Sequence, residues 1–128
     1  MKSKEKKSMD KLKNNICRGT VVFVKDLNKN SSGHAVKGSH PAVVVQNEKG
    51  NQHSPTLIVC YLTSQLKRLE MKTHVLLQHY DHLKLSVVQA EQLTTIDKAD
   101  VLGVIDQLRP EDMARVNAAL SFSLGLEA

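Results

Sequence analysis

The sequence predicts a mainly β, α+β domain: an antiparallel sheet or barrel of five or six strands closed by a carboxy-terminal helix. Three observations carry this expectation. Short runs of β-branched and aliphatic residues recur along the chain, each bounded by polar clusters rich in Asn, Ser, Gly, Lys or Pro. A long stretch with apolar residues at helical spacing lies near the end, at Met113, Val116, Leu120 and Leu124. Finally, 128 residues of which 41% are hydrophobic suffice for one packed core and not for two.

Residues 1–15 form a Lys-rich leader. It reads as a flexible tail or, because Met9, Leu12 and Ile16 are spaced three and four apart, as a short amphipathic helix. The domain proper is placed at 16–128. Thr20-Val21-Val22-Phe23-Val24 is β-branched and aromatic and reads as the first strand. Residues 26–40 are polar, and a loop of that length in a compact domain is functional or mobile. Ala42-Val43-Val44-Val45 is a continuous apolar run, read as a strand buried on both faces. Residues 47–55 (NEKGNQHSP) are turn chemistry throughout. Residues 56–62 form the next strand and 67–72 a second polar connection. Residues 73–77 and 86–89 read as two further strands, with His79-Tyr80-Asp81-His82 in an exposed turn between them. Residues 95–100 read as a turn or a single helical turn, and 101–108 as a last short strand weakened by Gly103. Pro110 suits the first helical position, and Glu111 and Asp112 complement the helix dipole. Gly125 then stops the helix. The sequence contains no internal repeat.

The formal net charge of +5 is unevenly placed. Lys2, Lys4, Lys6, Lys7, Lys11, Lys13 and Arg18 outnumber Glu5 and Asp10 by five, and the remainder is balanced. Attraction for phosphate within the domain must therefore be local. The aromatic residues are Phe23, Phe122, Tyr61 and Tyr80, too few for a binder built on a row of stacking rings. Cys17 and Cys60 form no Cys-x-x-Cys pattern, so zinc and redox motifs lack support. The His79–His82 run has no third spaced ligand nearby, and an exposed loop is the better reading than a metal site. No segment has the apolar length of a signal peptide or a membrane span. The protein reads as soluble, cytoplasmic and reduced.

Several stretches, taken in order, resemble the MazF/PemK family of toxin endoribonucleases. They are Arg18-Gly19 with the strand that follows; Gly38-Ser39-His40-Pro41 running into Ala42-Val43-Val44-Val45-Gln46-Asn47; Gly50-Asn51; Ser54-Pro55-Thr56; and Leu62-Thr63-Ser64-Gln65. Lys72-Thr73-His74-Val75 follows, then Glu91-Gln92 with Thr95-Ile96-Asp97-Lys98, and finally Ser123-Leu124-Gly125-Leu126. The match runs from about Cys17 to Leu126, and its specificity lies in the ordered set rather than in any one element. The resemblance implies an SH3-like antiparallel barrel closed by a carboxy-terminal helix, assembled as a homodimer. It implies metal-independent cleavage of single-stranded RNA with no cofactor. It also implies a MazE/PemI-like antitoxin whose disordered segment fills the RNA groove.

The chain departs from the family at several positions. His40 stands where the family's usual Arg precedes the proline of the second strand. Ala35 replaces a frequent Glu, Thr94 a frequent Arg, and Gln89 an Arg found in some members, while the Thr63-Ser64 pair is kept. Cutting RNA without metal uses the substrate's own 2′-OH. A proton must leave that hydroxyl, another must reach the leaving 5′-oxygen, and charge on phosphorus must be stabilised. Arg suits the last task through its planar, permanently charged fork, but histidine can serve as acid, base or protonated clamp. His40 and Thr63 are therefore the expected catalytic residues, with His34 assisting. Arg18, Lys37, Gln46, Asn47, Ser64, Gln65 and Gln92 are the expected RNA contacts, and Lys67, Arg68 and Lys72 add charge in the loops expected to flank the groove. His74 is expected to be a packed strand residue, and His79 and His82 to be dispensable. The alternative is a catalytically degenerate member of the same fold that binds RNA or antitoxin. A protein-targeting relative of the gyrase-poison type would need exposed aromatics at the end of the last helix, which Ser123-Leu124-Gly125-Leu126-Glu127-Ala128 does not supply.

Overall fold

The protein is described by a computed structural model covering residues 15–25 and 39–126. Among these residues, six strands form one antiparallel sheet: β1 (Thr20–Lys25), β2 (Ser39–Val44), β3 (Thr56–Thr63), β4 (His74–Leu77), β5 (Ser86–Asp97) and β6 (Val101–Gln107). Their spatial order is β4-β5-β3-β2-β1-β6. A short helix, α1 (Glu48–His53), joins β2 to β3, a 3-10 turn spans Lys98–Asp100, and α2 (Pro110–Ser123) ends the fold.

The central strands are buried on both faces, as the apolar run at 42–45 predicts. Because successive side chains alternate, Val43 enters one cluster with Val21, Cys60, Val88, Ile105, Val116 and Leu120. Ala42 and Val44 enter a second, with Val22, Val24, Leu57, Val59, Ile96 and Val101. Ile16 already belongs to this second cluster, while Met9 and Leu12, its proposed helix mates, lie outside the described residues.

Among the described residues, no strand ladder joins the sheet's edges, β4 and β6. The barrel is instead completed by α2 and by the loop at 78–85. Arg115 on α2 donates to the Leu76 carbonyl of edge strand β4 at 2.9 Å. The His82 backbone N–H donates to the Asp106 carboxylate of β6 at 3.1 Å. The expected barrel closed by a carboxy-terminal helix is thus present, with side chains rather than strand pairing bridging the gap.

Three local expectations need correction. The stretch at 47–55 is not turn throughout: Asn47 caps α1, its side chain accepting the Gly50 N–H at 2.8 Å. A polar residue that favours turns also favours helix N-caps, and a Cβ at Gly50 would meet the Gln46 side chain at 2.8 Å, so any larger residue there must displace the amide bonded to Thr56. β5 runs on through Asp97, so the turn expected at 95–100 is confined to 98–100. The long β5 pairs with β4 and the end of β3 through its first half and with the start of β3 through its second, across a register shift. Pairing of 95–97 with the start of β3 overrides the local turn signals. Finally, β2 begins at Ser39, which puts Ser39 and His40 in a strand instead of the preceding loop.

In α2, Pro110 sits at the first helical position and Val116, Ala119 and Leu120 are buried. Leu124 is 53% exposed, so it leaves the stripe expected of it. Gly125, at φ +68°, ends the helix, and the Leu126 N–H returns to the Ser121 carbonyl at 2.8 Å. No described helix is long and apolar enough to cross a membrane.

Candidate functional site

The site begins where one ladder stops. β2 pairs with β3 at Ala42↔Tyr61, Val43↔Cys60 and Val44↔Val59. The next residue of β2 is Pro41, which has no N–H to donate. Beyond that point lies an open groove of about 580 Å³. Phe23, Pro41, Leu62 and Ile105 supply its apolar surface. His40 enters from β2 and Thr63, Ser64 and Gln65 from the end of β3. His82, Lys84 and Ser86 enter from the 78–85 loop and the start of β5.

The polar groups here are held by specific contacts. The His40 ring meets Tyr61 edge to face, with centroids 6.1 Å apart and planes at 83°. The Thr63 hydroxyl oxygen accepts the Gln65 N–H at 3.1 Å, a local turn that ends β3 and leaves Ser64 and Gln65 exposed. Four of the residues singled out from the sequence, His40, Thr63, Ser64 and Gln65, therefore meet in one place.

Others do not join them. Arg18 donates its Nε–H to the Val45 carbonyl at 2.8 Å and its backbone N–H to Glu48 at 2.7 Å. It lines a separate apolar cleft with Val45, Ile58, Leu93, Leu124 and Leu126. Gln46 donates to the Thr56 carbonyl at 3.0 Å and to Asn51 at 3.2 Å, and Asn47 is the α1 cap. These two amides are engaged in bracing the β2–β3 connection. Gln92 is exposed on β5 and does not line the groove. Lys67 and Arg68 are exposed outside it, and Lys72 places its ammonium 5.2 Å from the Phe122 ring centroid. His34 and Lys37 lie outside the described residues, as does Ala35. His74 is packed, as expected: its side chain is 9% exposed, and Nε2 lies 3.0 Å from Glu91.

Lys84 is a groove residue that sequence reasoning missed, and His82 is one that it set aside as dispensable. No local signal marks them, because what brings them to the groove is the path of their loop. That path is set by an unusually complete lock. Tyr80 donates its hydroxyl to Asp112 at 2.5 Å and accepts the Arg109 backbone N–H at 2.9 Å. The Arg109 guanidinium lies 4.1 Å from the Tyr80 ring centroid and donates to the carbonyls of Gln78 at 2.6 Å and His79 at 3.1 Å. Asp112, 6% exposed, also receives Arg109 at 3.2 Å and Arg115 at 3.1 Å. Burial pushes the Asp112 carboxyl up, but hydrogen bonds from Tyr80, Arg115 and Arg109 outweigh it and hold the group below its ordinary value. Burial and the Asp112 bond raise the Tyr80 phenol. Elsewhere, burial, with Glu91 adding to it, pushes the Cys60 thiol up to about 12, which leaves it a core residue with no thiolate to offer. Among the described residues, no group of three or more His, Cys, Asp or Glu side chains is placed to hold a metal ion.

Comparison with known proteins identifies the family and the fold. Residues 17–124 match the family of PemK-like, MazF-like toxins of type II toxin–antitoxin systems. The chain is 39% identical over 111 residues to the endoribonuclease EndoA of Bacillus subtilis, covering 85% of this chain and 94% of that one. It superposes on an endoribonuclease solved with its cognate antitoxin from a mycobacterial species at TM-score 0.73 and 26% identity, covering 88% of this chain and 97% of the other. A MazE–MazF crystal structure from Deinococcus radiodurans shares the fold at TM-score 0.72 and 21% identity, covering 87% and 96%. A family match over residues 17–124 and 39% identity to a curated endoribonuclease, on a barrel of this topology, place the chain in the PemK-like, MazF-like family of type II toxin–antitoxin toxins.

Proposed function

We propose that this toxin is an endoribonuclease that cuts single-stranded RNA without a metal ion, and that the groove holding His40, Thr63, Ser64 and Gln65 is where it does so. The convergence of those four residues beside an apolar surface carries the reading. An imidazole exchanges protons near neutral pH, the function that attack by a 2′-OH demands. Thr63 supplies a hydroxyl, and Ser64 and Gln65 present hydrogen-bonding groups able to meet base edges or phosphate.

The partners fit the same reading. An extended antitoxin segment of the MazE/PemI kind would occupy the RNA groove and exclude substrate. The apolar cleft edged by Ile58, Leu93, Leu124 and Leu126 is where we place the second copy of a homodimer, since these exposed side chains gain from burial at about 25 cal/mol per Å². The cytoplasm, where RNA and antitoxin are made, is the proposed location.

The decisive experiment incubates the protein with long RNA in EDTA. Cutting at a short motif, with a 2′,3′-cyclic phosphate end, is the expected outcome. His40→Ala should lower the rate by about 10²–10³-fold, by analogy with loss of one transition-state donor. His40→Arg should preserve or raise it, because the guanidinium restores a phosphate clamp. RNA that is bound but never cut would establish the alternative, a degenerate binding member of the family, which His40 in place of the usual Arg favours.

A further inference from the structure

Resting on that reading of the groove, we propose that His82 is the proton-transfer partner of His40 and that Lys84 binds the RNA phosphate beside it. Both line the same groove as His40 and Thr63. Among the described residues, the hydrogen bond that His82 makes comes from its backbone, whose N–H is bonded to Asp106 on β6. Its side chain is exposed in the groove. The loop that carries it is held at its start by Tyr80, Arg109 and Asp112, so the imidazole sits on a fixed support, as a catalytic group requires. His79, three residues earlier, makes the contrast. It takes the positive φ of the turn, gives its carbonyl to Arg109, and does not line the groove.

Two imidazoles sharing one groove complete the proton balance. One takes the proton of the 2′-OH as the O2′–P bond forms. The other, protonated, gives its proton to the 5′-oxygen as the P–O5′ bond breaks. The products are a 2′,3′-cyclic phosphodiester and a free 5′-hydroxyl, and the imidazoles return to their starting states by exchange with water. The Lys84 ammonium is a point charge for the phosphate, which His40 cannot supply while it is neutral. Among the described residues, the charged and titratable groups facing the same groove or bonded to His82 are Asp81 and Lys84 on its own loop, Asp106 from β6, and His40 from β2.

The test compares parent, His82→Ala, His82→Gln and His79→Ala on an RNA oligonucleotide in EDTA, from about pH 5 to 9. The same proteins are titrated with the 2′-O-methyl form of that RNA, which has no nucleophile. The proposal expects a bell-shaped rate profile for the parent. Both His82 variants should lose one limb of the bell and about 10²–10⁴ in rate, and His79→Ala should keep the parent rate and profile. Melting temperatures and affinity for the methylated RNA should change little in the His82 variants. Parent-like rates and profiles in those variants overturn the proposal alone, leaving the nuclease reading in place. An intact bell with weakened RNA binding also overturns it, making His82 a binding residue only. A parent protein that cuts no RNA overturns both readings together.

Discussion

Two connections in this molecule look alike as sequence and behave oppositely as structure. Residues 47–55 and 78–85 are both short segments joining strands, and each carries an acid and a lysine, with one histidine in the first and two in the second. In the first, the side chains hold the segment together. Asn47 caps α1, and Asn51, 4% exposed, donates to the Gln46 carbonyl at 3.0 Å and to Glu48 at 2.8 Å. In the second, the backbone is held by groups from elsewhere, chiefly Arg109 and Asp106, and the side chains of His82 and Lys84 are left for the groove. A polar side chain whose hydrogen bonds already serve its own backbone is scaffold. One on a segment fixed by other residues is available for chemistry.

The largest expected effect comes from removing the support of the second connection. Asp112→Ala deprives Tyr80, Arg109 and Arg115 of their shared acceptor, and should cost about 2–4 kcal/mol after allowing for the exposure of the two arginines. Because the folded protein holds this carboxyl below its ordinary value, its contribution is complete above the usual carboxylate range and disappears as pH falls through the lowered value. Urea unfolding of parent and variant should therefore differ most near neutrality and converge in acid. A difference that persists unchanged in acid would show that packing, not charge, is what Asp112 contributes.

Next in size is Asn51→Leu, which leaves the Gln46 carbonyl and the Gln46 amide without their buried partner. It should cost about 2–3 kcal/mol while leaving the RNA cleavage motif as it was. A changed motif would place the first connection in the substrate path and end the contrast drawn here. Asn47→Ala removes only the cap and should cost about 1 kcal/mol by thermal or urea unfolding. Smallest is His79→Ala. Its side chain is exposed and makes no wall of the groove, so stability should fall by less than about 1 kcal/mol and cleavage should be unchanged.

Much of the fold was legible because it rests on short-range patterns. The apolar run at 42–45 announced a strand buried on both faces, and Pro110 and Gly125 marked the limits of the last helix within a residue or two. Asn and Gly at 47–50 were legible as special backbone positions but not as a helix, since cap and turn use the same residue chemistry. Half of the site was legible as well: Thr63, Ser64 and Gln65 are contiguous, and His40 stands beside the proline that ends a ladder. Arg18, Gln46 and Asn47 carried the right chemical groups for RNA, but they lie outside this groove, with Arg18 Nε, the Gln46 amide and Asn47 Oδ1 bonded to Val45, Thr56 and Gly50.

By itself, then, the sequence determined the strand and helix inventory, the family, and the residues adjacent to the second and third strands. These depend on alternation, on proline and glycine geometry, and on motifs read in order along the chain. Only the tertiary structure decided which polar groups face an open groove. Exposure of a side chain to substrate depends on where every other hydrogen-bonding group finds its partner. The acceptors and donors that hold the 78–85 loop, Asp106, Arg109 and Asp112, lie more than twenty residues away along the chain. No local pattern encodes that distance, so His82 and Lys84 enter the site only once β6 and α2 have folded against their loop.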